Sequence, residues 1–342
     1  MKNKEMMPIF IGVVAVLLVV LGVVIGVSVA RQNSGSTEPS YNVNLPTEDT
    51  EEKLFENHPM YNRNIETFVI LGVDNDSKDG EYGEGARSDS VITVVIDHKN
   101  KTIKVASLLR DCYVKIEGDS FNGFHKLNHA NYYGGPKLAL STIKDNFDLD
   151  IKEYMQVNFE SLVELVDNIG GVEIEITKVE CGKLGLERFK KAGTYTLTGK
   201  EALAYSRLRK LAGEDRARSE RQRNVLFAIF EKTKTMSTDE SVALVEDMMD
   251  KIDTSYREDE IVEILYSMSR YKITGMEAFP LVYFDGLVGE LWHEVPTTLI
   301  DMNKDLHKFL FDYADYVPSE KVEELSAIMK EVAPEPNTNY RD

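Results

Sequence analysis

The chain has 342 residues, of which 42% are apolar, and a formal net charge of −18 at pH 7. This length and apolar content suffice for one well-packed domain. The negative charge excludes general nucleic-acid binding, because an acidic surface repels phosphate groups. The only two cysteines, Cys112 and Cys181, leave open either a disulfide bond or two separate buried thiols.

An uncharged apolar segment at residues 9–30 predicts a transmembrane helix. At about 1.5 Å per residue it is long enough to cross the hydrocarbon core of a bilayer. Lys2 and Lys4 precede it, so the positive-inside rule predicts a cytoplasmic tail at residues 1–8, with the rest of the chain outside the cytoplasm. A cleaved signal peptide is the alternative, because Ser-Val-Ala at residues 28–30 resembles a processing site.

The rest of the chain divides into three predicted regions. Residues 31–65 are rich in Ser, Thr, Asn, Pro and acidic side chains and lack apolar periodicity, which predicts an extracytoplasmic linker. Residues 66–318 carry the apolar patterns of a single folded domain. Residues 319–342 are expected to form a C-terminal tail.

The folded domain opens with three predicted strands. Thr67–Val73 and Ser90–Ile96 are short apolar runs, and a turn at residues 97–101 leads back into Thr102–Leu108, which predicts a hairpin. Further strands are predicted at Tyr154–Val157 and Val172–Ile176. Helices are predicted at Pro136–Phe147, Phe159–Asn168, Lys200–Arg209, Asp215–Lys232, Asp239–Ile252, Asp259–Tyr271 and Pro296–Tyr313. Strands sandwiched by helices predict the α/β class in a layered domain.

Arginine is concentrated in one segment of this acidic chain. Six arginines stand between residues 207 and 223, at Arg207, Arg209, Arg216, Arg218, Arg221 and Arg223. Guanidinium groups near a helix N-terminus form a good phosphate site, through paired hydrogen bonds and the helix dipole. The alternative is a solvated helix with local ion pairs to Glu214, Asp215 and Glu220. The spacing alone leaves both interpretations open.

Charged residues also fall at the ends of the predicted strands. Asp74 ends the first strand, Arg87 and Asp89 precede the second, and Arg110 and Asp111 follow the third. If these strand ends meet at one edge of a sheet, the carboxylates could hold Mg²⁺ or take a proton from an attacking hydroxyl. The alternative is that they are ordinary turn residues.

Two further patterns do not predict a site. His125 and His129 are four residues apart, but the residues between them read as a loop or short strand. No acidic or cysteine partner follows at the spacing of a zinc site. The segment Gly193–Glu201 looks like a phosphate-binding loop, yet it has five spacer residues and ends in Glu where Ser or Thr should bind magnesium.

Seven short motifs of the chain resemble, in their order, the LytR-CpsA-Psr family of Gram-positive cell-envelope phosphotransferases. They are Leu71-Gly72-Val73-Asp74, Arg87-Ser88-Asp89, Ser107–Asp111, Leu127–Ala130 with Gly134-Gly135, Val166–Val172, Tyr205–Arg209 and Asp215–Gln222. One departure concerns the first motif, which the family often continues with Ser-Arg. This chain has Asn75-Asp76 there, so the expected site has one arginine fewer.

The resemblance implies a single extracytoplasmic α/β/α domain with a central mixed sheet, preceded by one transmembrane helix in the cell membrane of a Gram-positive type of envelope. It also implies an enzyme that moves a glycopolymer with one phosphate from a polyprenyl-pyrophosphate carrier to a peptidoglycan hydroxyl. Polyprenyl phosphate is then released. Whether the glycopolymer is teichoic acid or capsule stays open.

The resemblance also assigns roles to individual residues. Asp89 is the implied base, Arg87 orients it, and Arg207 completes the implied catalytic set. The residues implied to bind the substrate pyrophosphate are Arg110, Arg207, Arg209, Arg218, Arg221 and Gln222. Asp74 and Asp89 are implied to hold Mg²⁺, or alternatively Mn²⁺.

The prenyl chain of such a substrate needs an apolar groove, expected along Pro136–Phe147 and Phe159–Asn168. A non-catalytic binder or sensor of polyprenyl pyrophosphates is the alternative function; it would use the same arginines but would not need Asp89. A transcriptional regulator is not expected, because the predicted cytoplasmic tail at residues 1–8 is too short for a DNA-binding helix-turn-helix and the acidic domain outside the membrane cannot reach DNA.

Overall fold

The computed structural model describes residues 59–62, 64–74, 85–208, 214–233, 251–256, 271–289 and 291–333, with a few single positions between 236 and 248. Within that part of the chain, no helix is both long enough and apolar enough to cross a membrane. The predicted tail at residues 1–8 and the predicted span at residues 9–30 lie outside the described residues.

Six strands form the central sheet. Their bounds are β1 Ile65–Asp74, β2 Arg87–Asp97, β3 Thr102–Leu108, β6 Glu153–Asn158, β9 Ile252–Thr254 and β10 Lys272–Phe279. The spatial order is β10-β3-β2-β1-β6-β9. β10 runs parallel to β3, and β6 parallel to β1, whereas the other neighbours are antiparallel. The sheet is therefore mixed.

Three two-stranded hairpins flank this sheet. They pair β4 Tyr113–Glu117 with β5 Asn122–Lys126, β7 Val172–Ile176 with β8 Gly193–Leu197, and β11 Tyr283–Val288 with β12 Leu291–Pro296. The named helices are α1 Asn128–Phe147, α2 Phe159–Asn168, α3 Lys178–Leu184, α4 Gly199–Ser206, α5 Glu214–Thr233, α6 Leu299–Phe311 and α7 Glu320–Val332. A short 3-10 turn, Pro59–Tyr61, precedes β1.

Alternation along the strands produces two apolar cores, one on each face of the sheet. Phe68, Ile70 and Ile92 point to a core shared with α2, α4 and α5, whereas Val69 and Leu71 point to a core shared with α1, α6 and α7. We call these the α5 face and the α1 face. The domain has three layers, as the α/β/α prediction required.

Several predicted elements are confirmed. The hairpin of β2 and β3 forms with Asp97 opposite Thr102, and α2 spans Phe159–Asn168 as its pattern indicated. The predicted helix from Pro136 is the second part of α1, which begins at Asn128. Gly134 and Gly135 interrupt α1 with non-helical backbone angles, and φ of Gly135 is 63°.

Other predictions were wrong. The helix predicted to end at Ile252 ends earlier, because Ile252 starts β9 and pairs with Val157 at the edge of the sheet. Most of the helix predicted at Asp259–Tyr271 lies outside the described residues. The domain also extends beyond residue 318. α7 buries Val322, Leu325 and Met329 on the α1 face, so residues 319–333 belong to the fold and not to a tail.

The two cysteines are free thiols on opposite faces of the sheet. Cys112 is buried in the core of the α1 face and Cys181 in the core of the α5 face. The sheet lies between them, so they do not form a disulfide bond and are two separate buried thiols.

Candidate active site

A β-bulge sets the position of Asp89. Gly72 pairs with Ser90 and Val73 pairs with Ser88, so Asp89 is the extra residue on β2. In a bulge, two residues of one strand oppose one residue of its partner, which changes the direction of the side chain. Asp89 and Ser90 consequently both line a cavity on the α5 face. Without the bulge, adjacent residues would point to opposite faces.

Asp89 is the first residue in a row of ion pairs that lies at one end of the strands. Arg110 Nη1 donates to Asp89 Oδ1 at 2.5 Å, and Arg110 Nη2 lies 3.5 Å from Asp111 Oδ2. Lys126 Nζ contacts Asp111 Oδ1 at 2.8 Å. Burial acts to raise the pKa of Asp111, but the charges of Arg110, Lys126 and Arg218 outweigh it, and the pKa lies below its ordinary value.

Arg87 does not make the contact predicted for it. Its guanidinium lies over the ring of Tyr132, 5.6 Å from the centroid, and the contact to Asp89 comes from Arg110. The strand start is fixed instead by Asn131, which donates to the carbonyl of Ala86 at 2.9 Å and accepts from Gln156 at 2.7 Å. Arg87 is therefore an exposed positive charge at the start of β2, and the hydrogen bond from Asn131 holds the backbone directly before it.

Arg207 is the C-cap residue of α4. Its guanidinium carbon lies 4.5 Å from the ring centroid of Phe159, the first residue of α2, and its side chain is exposed. A guanidinium over an aromatic face is attracted by the quadrupole of the ring. Arg209 lies outside the described residues, so its predicted role in substrate binding stays a prediction.

The arginines of α5 have separate environments. Arg218, Arg221 and Arg223 are buried, which excludes the solvated helix as an interpretation for them. Arg218 acts electrostatically on Asp111 and so belongs to the row of charges described above. Arg221 donates to the Leu208 carbonyl at 2.9 Å and lies 3.4 Å from Glu180 on α3.

Arg221 therefore has a different surrounding from the one expected for a substrate ligand. Its guanidinium holds the backbone that follows Arg207, and Glu180 neutralises its charge. Arg216 pairs with Glu277 of β10 at 2.9 Å. Both partners come from distant parts of the chain, whereas the sequence had suggested local pairs along the helix.

The cavity on the α5 face has about 890 Å³ of empty space, including its open mouth. β1, β2 and β6 form its floor, and α2 and α5 form its walls. The apolar lining includes Ile70, Ile92, Leu162, Leu165, Val225 and Ile229. Polar groups are few, and Asp89, Ser206 and Gln222 are among them. Phe159, whose ring contacts the guanidinium of Arg207, also lines the cavity.

The structure corrects one half of the predicted groove. Phe159, Leu162 and Leu165 of α2 line the cavity as expected. The segment Pro136–Phe147 does not, because Ala139, Ile143 and Phe147 pack on the α1 face, behind the sheet. The strands β1 and β2 and the helix α5 take its place. Their apolar residues read as ordinary core positions in the sequence, so no local signal identified them.

The carboxylate of Asp89 could take part in holding a divalent cation. The Cα of Asp74 is paired with that of Arg87, so the backbone of Asp74 lies at the same end of β1 and β2 as Asp89. Among the described residues, no group of three or more His, Cys, Asp or Glu side chains is arranged to hold a metal ion. Mg²⁺ is commonly bound by one or two carboxylates together with substrate phosphates. The carboxylate of Asp89 fits that mode of binding.

The chain belongs to the LytR_cpsA_psr family, whose model matches residues 28–305. Among curated relatives, the teichoic acid transferase TagT of Bacillus subtilis strain 168 is 32% identical over 73% of this chain and 76% of its own length. That protein is named a polyisoprenyl-teichoic acid–peptidoglycan teichoic acid transferase. TagU of Enterococcus faecalis V583 carries the same activity name and is 30% identical, over 69% of this chain and 74% of its own length.

Solved structures show the same fold. TagT bound to LIIa-WTA is 25% identical and has a TM-score of 0.60, with 74% of this chain and 92% of that chain covered. A second TagT structure contains octaprenyl pyrophosphate lipid. It is 24% identical with a TM-score of 0.55, covers 72% of this chain and 91% of that one, and supports the fold alone.

Proposed function

We propose that this chain is a phosphotransferase that moves a glycopolymer with one phosphate from a polyprenyl-pyrophosphate carrier to a peptidoglycan hydroxyl and releases polyprenyl phosphate. One observation carries the proposal. An apolar cavity opens on Asp89 and Gln222, next to Arg110 and Arg207. An apolar cavity with a charged mouth suits a ligand that has a hydrocarbon chain and a pyrophosphate head group. The transferase names of the relatives support the same activity.

The cavity would take the prenyl chain and the mouth would take the pyrophosphate. Prenyl units would replace empty space between Ile92 of β2 and Ile229 of α5, where each buried CH₂ contributes about 0.8 kcal/mol. Arg207 at the mouth would neutralise charge that develops on the departing polyprenyl phosphate, and the amide of Gln222 would donate a hydrogen bond. Arg218 is close enough to add to this positive field.

Asp89 would take the proton of the attacking hydroxyl. Arg110 fixes one of its carboxylate oxygens, which holds the side chain at the cavity mouth without rotamer freedom. Asp74 and Asp89 would hold Mg²⁺, and Mn²⁺ is the alternative ion. When bound, the ion would offset the negative charge of the pyrophosphate oxygens. The pyrophosphate bond supplies the driving force, so the reaction needs no nucleotide.

The location is part of the same proposal. The apolar span at residues 9–30 would anchor the chain in the cell membrane as a single-pass protein, with the tail at residues 1–8 in the cytoplasm and the catalytic domain outside. An anchored enzyme meets a lipid-linked donor at the membrane surface and the peptidoglycan acceptor beyond it.

The test uses the full-length chain in detergent micelles with a polyprenyl-pyrophosphate-linked glycan, Mg²⁺ and soluble peptidoglycan oligomers. Mass spectrometry follows polyprenyl monophosphate and the sugar phosphate added to the acceptor. Asp89→Asn is expected to lower transfer by a factor on the order of 100 to 10,000. Arg207→Met should also reduce it strongly, and chelation of Mg²⁺ should abolish it.

Lys101→Met is the matched control, because Lys101 Nζ lies 4.9 Å from the ring centroid of Tyr271, at the opposite end of β2 from Asp89, and is not part of the cavity lining. This variant should keep wild-type turnover. Wild-type transfer by Asp89→Asn would overturn the role of that carboxylate. Tight binding of the lipid without turnover, with every glycan and acceptor tried, would establish the non-catalytic binder instead.

A further inference from the structure

Six aromatic rings form a cluster beside the row of ion pairs. We call it the histidine–aromatic patch; its members are Phe121, His125, His129, Tyr132, Tyr133 and His293. The rings of Phe121 and Tyr133 are stacked at 4.6 Å with an interplanar angle of 4°. His125 contacts His129 at 4.0 Å and His293 at 5.6 Å between ring centroids. The patch thus joins β5, α1 and β12.

The patch is exposed at Tyr132 and adjoins the candidate active site. Tyr132 is 40% exposed, and the guanidinium of Arg87 rests on its ring. The row of ion pairs leads from Asp89 through Arg110 and Asp111 to Lys126, which directly follows His125 in β5. A ligand at Asp89 that extends past Arg87 would therefore meet these rings.

The patch and the cavity lie on opposite sides of the sheet. The cavity is on the α5 face, whereas Phe121 and Tyr133 pack against the core of the α1 face. In phosphoryl transfer, the attacking and leaving oxygens are roughly in line through the phosphorus atom. If the departing polyprenyl phosphate lies in the cavity mouth, the attacking hydroxyl arrives from the other side of Asp89. That is the side on which the patch lies.

The imidazoles offer the hydrogen bonds that hydroxyl groups need. The backbone amide of Lys126 donates to His125 Nδ1, so the free Nε2 of this ring carries a proton. His129 Nδ1 donates to Asn128 Oδ1, so its Nε2 is an acceptor. His293 is buried, and its Nδ1 donates to the Leu291 carbonyl, which fixes its ring beside that of His125. Burial lowers the pKa of His129 to about 3 and that of His293 to about 4, which keeps both rings neutral.

These histidines do not have the arrangement of a metal site. The rings of His125 and His129 lie against each other at 4.0 Å and are not spread around a common centre. The described residues contain no group of three or more possible ligands arranged for a metal ion. The exposed ring of Tyr132, with neutral donor and acceptor groups beside it, instead suits a sugar, whose C–H groups pack on aromatic rings while its hydroxyls form hydrogen bonds.

We propose that the histidine–aromatic patch binds a pyranose ring of the acceptor glycan and directs one of its hydroxyls towards Asp89. This inference rests on the proposed transferase function and adds the acceptor subsite to it. The neutral rings accept the glycan without the desolvation cost of a buried charge. Arg87 contacts Tyr132 of the patch and stands two residues before Asp89 on β2.

The kinetic test compares His129→Gln and Tyr132→Leu with the wild-type full-length chain, again with soluble peptidoglycan oligomers. We expect KM for the acceptor to rise about tenfold, the equivalent of about 1.4 kcal/mol. KM for the lipid-linked donor, and its slow hydrolysis by water, should stay unchanged. Tyr132→Phe retains the ring and should restore the acceptor KM.

Tyr313→Leu is the matched control at the other end of the sheet, next to the Asp312 that pairs with Lys104 near the start of β3. It should leave both KM values unchanged. Acceptor KM values that stay at the wild-type level in His129→Gln and Tyr132→Leu would overturn the inference. A rise confined to the donor KM would also overturn it, since the patch would then hold the donor glycan.

A binding measurement without donor separates this inference from the proposed function. Equilibrium dialysis with a labelled soluble peptidoglycan tetrasaccharide measures binding to the full-length chain directly. The wild-type chain should retain the tetrasaccharide, and His129→Gln should bind it about tenfold more weakly. No retention by the wild-type chain at millimolar tetrasaccharide would overturn the acceptor subsite even if transfer occurs. Binding without transfer would support the subsite and count against the enzyme.

Discussion

The two faces of the central sheet are packed differently although the same strands form both. On the α1 face, Leu71, Ile143, Phe147 and Leu306 are fully buried among three helices. On the α5 face, α2 and α5 stand apart and leave the cavity over β1, β2 and β6. An apolar residue on a strand therefore indicates that the position is buried. It does not indicate whether side chains from another element fill the space next to it. The α5 face is consequently open to a ligand, whereas the α1 face supports the fold.

The largest expected effect concerns the charges that hold the α5 face together. Arg221→Met would leave Glu180 buried without its ion-pair partner, at a cost of about 4 kcal/mol in the free energy of unfolding. Urea denaturation of the variant measures this loss. Adding Glu180→Gln should recover part of it, because the amide needs no counter-charge. A loss below about 1 kcal/mol would show that the pair is not important for stability.

Filling the cavity should affect activity more than stability. Ile229→Trp would occupy space predicted for about one prenyl unit, a loss of about 3 kcal/mol in donor binding, or roughly a hundredfold in KM. The thermal unfolding temperature should change little, because empty space accepts the larger ring. Ile143→Trp on the α1 face is the control and should destabilise the fold by overpacking. Wild-type donor KM in Ile229→Trp would contradict the lipid site.

Truncation of isoleucine on each face compares the packing directly. Ile143→Ala should cost about 4 kcal/mol, because the side chain is fully buried and its loss creates a new cavity. Ile92→Ala should cost only about 2 kcal/mol, because Ile92 already borders empty space. Chemical denaturation of both variants checks the difference. Equal costs would mean that the two faces are equally filled in solution.

The smallest expected effect is on the pH dependence of stability. Folded His129 and His293 have pKa values of about 3 and about 4, whereas an unfolded histidine titrates near pH 6.5. Between these values the unfolded chain binds more protons, so the stability decreases as the pH falls from 7 to 5. The double variant His129→Gln, His293→Gln should lose less in unfolding temperature over this range than the wild-type chain does. An identical loss in both would contradict the burial of these rings.

The sequence by itself determined the elements whose signals are local. The hairpin of β2 and β3 follows from two apolar runs around a polar turn, and α2 follows from an apolar stripe that ends before Gly170-Gly171. The order of the seven motifs indicated the family, which the family model confirmed. The assignments of Asp74 and Arg209 to the site, and of magnesium to Asp74 and Asp89, stay predictions.

Only the tertiary structure decided which of these residues meet. The position of Asp89 depends on a bulge, which exists only in the pairing with β1. The partner of Arg221 is Glu180, and His293 joins His125 from a hairpin far along the chain. The cavity exists because two helices pack on the sheet without meeting above it. Side-chain contacts and empty volume depend on distances between remote segments, and no local sequence pattern encodes these distances.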